Sequence, residues 1–454
     1  MRNLILSLVL ITQLIRAEAQ KASNTSATIN AYPSWIEQGN IYEVNVRQYT
    51  QQGTFKAFEK SLPRLKQMGV QTLWFMPINP ISKKGRKGAL GSYYSVADYT
   101  AVNPEFGTLA DWKELVNKAH SMGFKVIIDW VPNHTGPDNV WLKTHPSFYV
   151  RDPKTGEAAL PDPDWTDTRQ LDFTNQEMKD SMTAAMKFWI IKTNIDGFRC
   201  DHVVDFQKEF WLQCIPQLRK LKNIFMMAEA NEAWVYDAGF DASYPWDAFN
   251  VMKQIAAGQQ PANAFDKVLE NVDRTYPATA IRMYFTSNHD ENSWNKADYG
   301  TMPGDSHAPF AVLTQTIEKS VPLIYSGQEE PFIEAIHFFY KDVIYFHDFE
   351  RAAFYRTLLT LRKNNSALAA NASFKKLATS NDAAVYAYER ENAGNRVLVI
   401  LNLSNKSLSY SWSTKPSENE WTNVFTGKAE TVSDGFALKP WDYKVFEIRK
   451  QTKK

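Results

Sequence analysis

Three acidic residues in this chain each follow a short apolar run, and they are the side chains best suited to do chemistry. They are Asp201, Glu229 and Asp290. Short apolar runs bounded by turns predict buried strands, so each carboxylate should project from a strand's C-terminal end. A parallel α/β barrel gathers such ends around one pocket. Three carboxylates in one pocket indicate cleavage of a glycosidic bond, in which one group attacks, one donates a proton and one assists.

The elements that must position these acids alternate between strand and helix signals. This alternation predicts a (β/α)8 TIM barrel over residues 34–368, with a loop insertion, 135–173, after the third strand. Because long loops in compact domains are usually functional, the insertion should border the pocket. The predicted barrel strands are residues 41–49, 72–76, 125–131, 195–200, 224–228, 240–244, 280–286 and 322–325.

The pattern changes after the barrel. Short β-type runs separated by Asn, Gly and Ser turns follow one another without helical periodicity. They predict a C-terminal antiparallel β-sandwich domain over residues 369–454. The predicted strands of this domain are residues 384–388, 396–403, 408–412 and 443–448.

The composition is that of an ordinary globular protein, 44% hydrophobic and 22% charged. The 454 residues suffice for a large catalytic domain and a smaller one. A net charge of +1 gives no reason to expect a nucleic-acid partner. None of these properties determines the oligomeric state.

The N-terminus has the pattern of an export signal. The apolar run 4–15 follows Arg2, and Ala17-Glu18-Ala19 matches a signal-peptidase site. We therefore expect a cleaved signal peptide, 1–19, a linker, 20–33, and a periplasmic or extracellular location. The run is too short for a comfortable permanent membrane span, although a short N-terminal anchor is the alternative.

Several motifs in chain order resemble the α-amylase family, glycoside hydrolase family 13, over nearly the whole chain after the signal. One such motif could arise by chance, whereas several in order could not. The matching segments are residues 91–99, 103–108, 129–134, 197–201, 225–229, 288–290 and 322–329.

The resemblance implies retaining double displacement, with Asp201 as nucleophile, Glu229 as acid/base and Asp290 as stabiliser of the cationic transition state. The residues themselves are consistent with these roles. Arg199 lies on the same strand face as Asp201, two residues earlier, and should keep that carboxylate ionised. The apolar run 225–228 and the neighbouring carboxylates should raise the pKa of Glu229.

The resemblance also implies a set of substrate-binding residues. His289 and His134 match the family's contacts to sugar hydroxyls, and Tyr94 matches its stacking platform, with the adjoining Tyr93 as the alternative. Arg199 and Asp129 belong to the same set, and Asp129 should orient Arg199 rather than touch substrate.

Two departures from the family pattern leave the preferred glucan open. Many amylases have Lys-His where this chain has Val204 and Asp205, and they carry a larger insertion after the third strand. The chemistry requires no cofactor. A structural Ca²⁺ is an alternative, with Asn133 as its candidate ligand. Four loop acids could supply further ligands or could instead be solvated: Asp162, Asp164, Asp167 and Asp172.

The leading functional hypothesis is an exported hydrolase of α-1,4 bonds in starch, glycogen or maltodextrins. An α-glucanotransferase, an exo-acting enzyme or another α-glucosidase would keep the same residues. A non-catalytic glycan-binding barrel is disfavoured because all three carboxylates are present. Candidates for sugar stacking are Trp141, Trp165, Trp234 and Trp294, and those for the cleft mouth are Glu291, Asn292, Glu329 and Glu330.

Overall fold

A computed structural model of the protein describes residues 32–295, 302, 304–332, 334–432 and 434–450. The predicted signal peptide, 1–19, and most of the predicted linker, 20–33, lie outside these residues. Across the part of the chain that is described, no helix is both long enough and apolar enough to cross a membrane.

Eight parallel strands form a closed barrel, in which each strand pairs with its sequence neighbours and the eighth pairs with the first. The predicted barrel is therefore confirmed. Nearly all strand residues are buried, as expected when helices cover the outside of the barrel. In chain order, β1 to β8 are Ile41–Val44, Thr72–Phe75, Lys125–Trp130, Gly197–Cys200, Phe225–Ala228, Ala242–Ser243, Ile281–Tyr284 and Ser320–Tyr325.

Helices surround the barrel, and loops connect them to its strands. A representative one, Leu109–Ser121, begins with a capping box in which Thr108 Oγ1 accepts from the Asp111 amide at 3.1 Å and the Asp111 carboxylate accepts from the Thr108 amide at 2.8 Å. The other described α-helices are Val46–Tyr49, Phe55–Glu59, Leu62–Met68, Val140–Thr144, Gln176–Thr193, Lys208–Arg219, Trp234–Asp237, Trp246–Ala256, Ala264–Thr275, His289–Asn295, His307–Thr316 and Ala352–Asn364.

The first strand is shorter than predicted, because the chain turns into the helix Val46–Tyr49 directly after Asn45. The polar side chains of this helix are buried and bond the loops above the barrel. Arg47 Nη1 donates to the carbonyl of Gly91 at 3.1 Å, and Gln48 Nε2 donates to that of His337 at 2.8 Å. The β-like pattern of 41–49 contains no sign of these distant carbonyl partners.

The predicted antiparallel β domain follows the barrel. Its six-stranded sheet is backed by a small pair, Leu408–Ser409 with Ala437–Leu438. Alternation along one strand divides the two faces: Leu398 packs in the domain's own core, and Val397 packs against the barrel helices. In spatial order the six strands are Ser373–Leu377, Val385–Asn392, Asn395–Asn402, Tyr443–Ile448, Glu420–Asn423 and Ala429–Thr431.

Arg390 joins the two domains. It is fully buried, and its guanidinium donates to the carbonyls of Thr316 and Ile317 at 2.9 and 2.8 Å, where a barrel helix ends. It also donates to the carbonyls of Ala369 and Ala372 in the connecting segment. Burial lowers the pKa of Arg390 to about 10. The Arg390 side chain thus supplies hydrogen-bond donors to buried backbone carbonyls where the two domains meet.

Candidate active site

The three acids line one cavity of about 790 Å³ at the C-terminal ends of the barrel strands. Asp201 directly follows β4, and its amide donates to the carbonyl of Trp130 at 2.8 Å. Glu229 directly follows β5, and its amide donates to the carbonyl of Cys200 at 2.9 Å. Asp290 lies in the first turn of the helix after β7 rather than at the strand end. The cavity is lined by all three.

Arg199 lies beneath the cavity and contacts three carboxylates. Its Nη1 donates to Asp201 Oδ1 at 2.8 Å and to Asp129 Oδ1 at 3.0 Å, while Nη2 lies 2.9 Å from Glu229 Oε2. Its Nε donates to the Tyr244 hydroxyl at 3.1 Å. Charge-assisted bonds of this kind are short and strong, so this fully buried cation fixes the positions of the three carboxylates relative to one another.

Burial raises the pKa of the Asp201 and Glu229 carboxyls, and the neighbouring charges act in both directions. At Asp201, the charge and hydrogen bond of Arg199 oppose the rise that burial causes, and the charge of Asp290 adds to it. Burial also raises the pKa of Glu229; Arg199 opposes this rise, but the charges of Asp201 and Asp290 add to it. The pKa of both carboxyls is therefore raised, as a proton donor at Glu229 requires, and the hydrogen bond from Arg199 Nη1 limits that rise at Asp201.

The two oxygens of Glu229 have different surroundings. Oε2 accepts from the backbone amide of His202 at 2.9 Å and also lies beside Arg199. Because both contacts are made by Oε2, Oε1 is the oxygen that can carry the acidic proton.

His289 links Asp290 to the barrel interior. Its Nδ1 lies 2.5 Å from Glu43 Oε1, and its Nε2 lies 2.7 Å from the Tyr94 hydroxyl and 3.3 Å from Asp290 Oδ2. Although burial opposes it, the charges of Asp290 and Glu43 raise the pKa of His289 well above its usual value. Burial likewise acts against ionisation of Asp290, but the charge and hydrogen bond of His289 lower the pKa of that carboxyl. His289 thus lies between two acidic groups whose charges favour its protonated form, although burial raises the pKa of Glu43.

Tyr94, rather than Tyr93, lines the cavity. Its ring stacks on those of His289 and Phe338, with centroid distances of 5.4 and 6.3 Å. The Tyr93 hydroxyl instead donates to Asn45 Oδ1, below the cavity. Of the two adjoining tyrosines, Tyr94 is therefore the one that a molecule in the cavity could contact.

His134 also lines the cavity, whereas Asp129 and Arg199 do not. Burial lowers the pKa of His134 to about 3, so this imidazole is neutral and can accept or donate a hydrogen bond. Asp129 is fully buried and contacts Arg199 as expected. Asp129 and Arg199 can therefore affect a substrate only through residues that line the cavity, among them Asp201 and Tyr94.

Two of the four candidate stacking tryptophans, Trp165 and Trp294, line the cavity. Trp141 packs instead on Tyr99, and Trp234 packs against the hydrophobic core. Sequence reasoning missed three further aromatic residues of the lining, because none of them lies in a recognised motif. They are Trp246, Phe338 and Phe339.

The prediction that four polar residues line the cleft mouth was wrong. Glu329 is fully buried, where it accepts from the Tyr42 hydroxyl at 2.7 Å and pairs with Arg64 at 2.9 Å. The others bond neighbouring loop atoms, and none lines the cavity. Those remaining three are Glu291, Asn292 and Glu330.

Asn133, the candidate calcium ligand, is bonded to a protein donor. Its Oδ1 accepts from the buried amide of Gln207 at 3.4 Å. In the described ranges, no group of three or more His, Cys, Asp or Glu side chains is arranged to hold a metal ion. Nearby acids are engaged locally: Asp162 and Asp172 accept from backbone amides, and Asp167 lies 3.5 Å from Lys87.

The loop after β2 is bonded to the loops on both of its sides. Lys87 Nζ donates to the carbonyl of Asp164 at 2.6 Å, in the loop after β3. The amide of Leu90 donates to the carbonyl of Phe339 at 3.0 Å, in the loop after β8. We call these three bonded loops the linked rim; they form one continuous side of the cavity.

Comparison with known proteins identifies relatives. The family model "Alpha amylase, catalytic domain" matches residues 22–384, and "Alpha amylase, C-terminal all-beta domain" matches residues 378–444. Alpha-amylase MalA of Haloarcula japonica is 25% identical over 325 residues, which cover 65% of this chain but only 45% of that protein. Alpha-amylase 2 of Dictyoglomus thermophilum is 23% identical over 428 residues, 82% of this chain and 71% of that protein.

A solved structure with the same architecture is that of a maltogenic α-amylase, AmyB, from Thermotoga neapolitana. It superposes with a TM-score of 0.80 at 27% identity, covering 91% of this chain and 96% of that one. With both family models matched in order, the chain belongs to the α-amylase family of glycoside hydrolases.

Proposed function

We propose that this protein is an exported retaining hydrolase of α-1,4-glucosidic bonds in starch, glycogen or maltodextrin-type glucans. The observation that carries the proposal is the position of Asp201 and Glu229 on neighbouring nitrogens of the Arg199 guanidinium. Two carboxyls held by one cation favour the short separation used in retaining enzymes over the wider one that admits a water in inverting enzymes.

In the first step, Asp201 attacks the anomeric carbon and the glycosidic C–O bond breaks. Glu229 donates its proton to the departing oxygen, which leaves as a sugar hydroxyl. In the second step, Glu229 takes a proton from water, whose oxygen displaces Asp201. The product keeps its anomeric configuration, and both carboxyls return to their starting states.

Asp290, His289 and His134 hold the sugar whose bond is cleaved. The ionised Asp290 supports positive charge developing on that ring, and hydrogen bonds to hydroxyls can strengthen as the ring distorts. Tyr94 lines the same part of the cavity and is the aromatic contact to that ring. The names of the relatives, α-amylase and maltogenic α-amylase, support an α-glucan as the substrate class.

The chemistry runs on side chains alone, because a nucleophile, a proton donor and a charge stabiliser are all present. The bond from Gln207 to Asn133 supports a fold that does not depend on calcium there. Thermal unfolding with and without a chelator tests this: an unchanged Tm is expected, and a fall of several degrees reversed by Ca²⁺ would contradict it.

Export is supported by the sequence of residues 1–19. Expression of the full chain with its native start, followed by cell fractionation and N-terminal sequencing, should yield a periplasmic or extracellular protein beginning at Gln20. Intact protein retained at the membrane would instead indicate an anchor.

The reaction is tested with amylose, pullulan and maltotriose, following products over time. New reducing ends without longer oligosaccharides indicate hydrolysis, whereas longer products indicate glucanotransfer. NMR of the first product should show the α anomer; an initial β anomer would exclude retention. No turnover of any α-glucoside would reject an enzymatic role.

A further inference from the structure

His202, the residue after the nucleophile, has an unusual backbone. Its φ of 44° lies in the left-handed region, which residues other than Gly rarely adopt. Strain of this kind persists where the surroundings impose it, often at functional sites. Here the turn aims the His202 amide at Glu229 Oε2, 2.9 Å away, and leaves the imidazole exposed at the cavity.

Trp165 comes from the loop after β3 and meets the same imidazole. Its ring centroid lies 5.3 Å from that of His202, edge to face, and 5.3 Å from that of His134. The half-buried indole lines the cavity. Backbone bonds from Trp165 to Asp162 and from Thr168 to Trp165, both 3.0 Å, fix its turn. Trp165 and His202 are called the Trp165–His202 pair below.

The position of this pair relative to the scissile bond follows from the acids. Glu229 donates to the departing oxygen, so the departing sugar lies on its side of the cavity. Asp290 and its partner His289 hold the sugar that stays. His202 and Val204 follow Asp201 in the chain, beside Glu229, and line the cavity there. The pair therefore borders the departing sugar.

We propose that the Trp165–His202 pair is the binding platform for the leaving-group sugar, with the indole packing on the sugar ring and the imidazole bonding a hydroxyl. The proposal rests on the hydrolase function above. Carbohydrate recognition combines an apolar face with directed polar groups, and this pair supplies both. Burial lowers the pKa of His202, so its imidazole is neutral near pH 7 and can donate or accept.

The same platform must receive any sugar that attacks the glycosyl-enzyme in place of water. Water and an acceptor sugar need the same base, Glu229. The ratio of transfer to hydrolysis therefore reports acceptor binding and is insensitive to the efficiency of Glu229. A variant that merely displaced Glu229 would slow both reactions and leave the ratio where it was.

The experiment uses α-maltosyl fluoride as donor and methyl α-glucoside as acceptor. The fluoride leaves without occupying a sugar site. Products are quantified as maltose from hydrolysis and methyl glycosides from transfer. The purified full-length protein is compared with His202→Ala, Trp165→Ala and the conservative Trp165→Phe. Trp294→Ala is the matched control, because Trp294 bonds Asp290 on the opposite side of the scissile bond.

We expect His202→Ala and Trp165→Ala each to lower the transfer-to-hydrolysis ratio about tenfold, a loss worth about 1.4 kcal/mol of acceptor binding. Trp165→Phe should recover much of it, and Trp294→Ala should keep the wild-type ratio. Unchanged ratios in both pair variants overturn the platform, as does a wild type that hydrolyses the fluoride without transfer. A wild type that does not turn over the fluoride instead rejects the hydrolase itself.

Discussion

The Nη2 atom of Arg199 lies 2.9 Å from Oε2 of Glu229, the carboxyl to which we assign the acidic proton of the proposed reaction. The other terminal nitrogen of the same guanidinium bonds Asp201. One buried cation therefore opposes the burial-driven rise in the pKa of both reacting carboxyls. It also fixes which Glu229 oxygen is free to protonate.

Arg199→Lys should lower kcat/KM at least 100-fold and the free energy of unfolding by about 3 kcal/mol, because one ammonium cannot replace a planar fork that contacts three carboxylates. Kinetics with maltotriose and urea denaturation measure the two effects. Arg219→Lys is the control: Arg219 pairs with Asp241 outside the cavity, so its activity should be kept. Near-wild-type kinetics for Arg199→Lys would reject the shared-cation role.

Glu229→Gln should lower kcat/KM for maltotriose by 10²- to 10⁴-fold, the usual contribution of a general acid. The loss in formation of the glycosyl-enzyme from α-maltosyl fluoride should be smaller, since fluoride departs without that proton. Glu270→Gln, an exposed helix position, is the matched control. Equal losses on both substrates would argue against proton donation.

Asp290→Asn should move the alkaline limb of the kcat/KM profile to lower pH. The charge of Asp290 helps to raise the pKa of Glu229. Removing that charge lowers this pKa, so Glu229 loses its proton, and the enzyme its activity, at lower pH. Residual turnover of maltotriose at high enzyme concentration gives the profile. An alkaline limb that stays in place or rises would contradict the coupling.

Glu43→Gln should lower the pKa of His289, because Glu43 supplies one of the two charges that raise it. NMR titration of the imidazole measures this shift directly. Since a hydrogen bond between charged groups is worth about 1.5–3 kcal/mol, kcat/KM should fall about 10-fold or more. An unchanged titration would show that Asp290 alone sets the charge of His289.

Arg390→Met keeps much of the side-chain volume but removes every donor to the domain junction. We expect a loss of at least about 3 kcal/mol in the free energy of unfolding, because several buried carbonyls lose their partners. Urea denaturation measures it, with the half-exposed Arg449→Met as control. Equal stabilities of the two variants would mean that water replaces the Arg390 bonds.

The sequence predicted the barrel and the positions of Asp201 and Glu229 because apolar runs and strand-end acids are local patterns. Glu43 was missed, since its partner His289 lies far along the chain and only barrel closure brings β1 beside the cavity. Glu329 was misplaced for the related reason that its cation, Arg64, lies outside any motif. The aromatic residues that line the cavity from its loops were not predicted, because hydrophobic periodicity identifies helices and strands but not the path of a loop.

The linked rim has a consequence for redesign. A deletion within residues 83–90 would remove hydrogen bonds to both neighbouring loops at once. This side of the cavity therefore cannot be lowered by shortening one loop alone. The loop after β4 also meets the linked rim, because His202 contacts Trp165 edge to face at a centroid distance of 5.3 Å. A change in product length therefore needs coordinated changes in neighbouring loops, because an insertion after β4 would also disturb the bond from the His202 amide to Glu229.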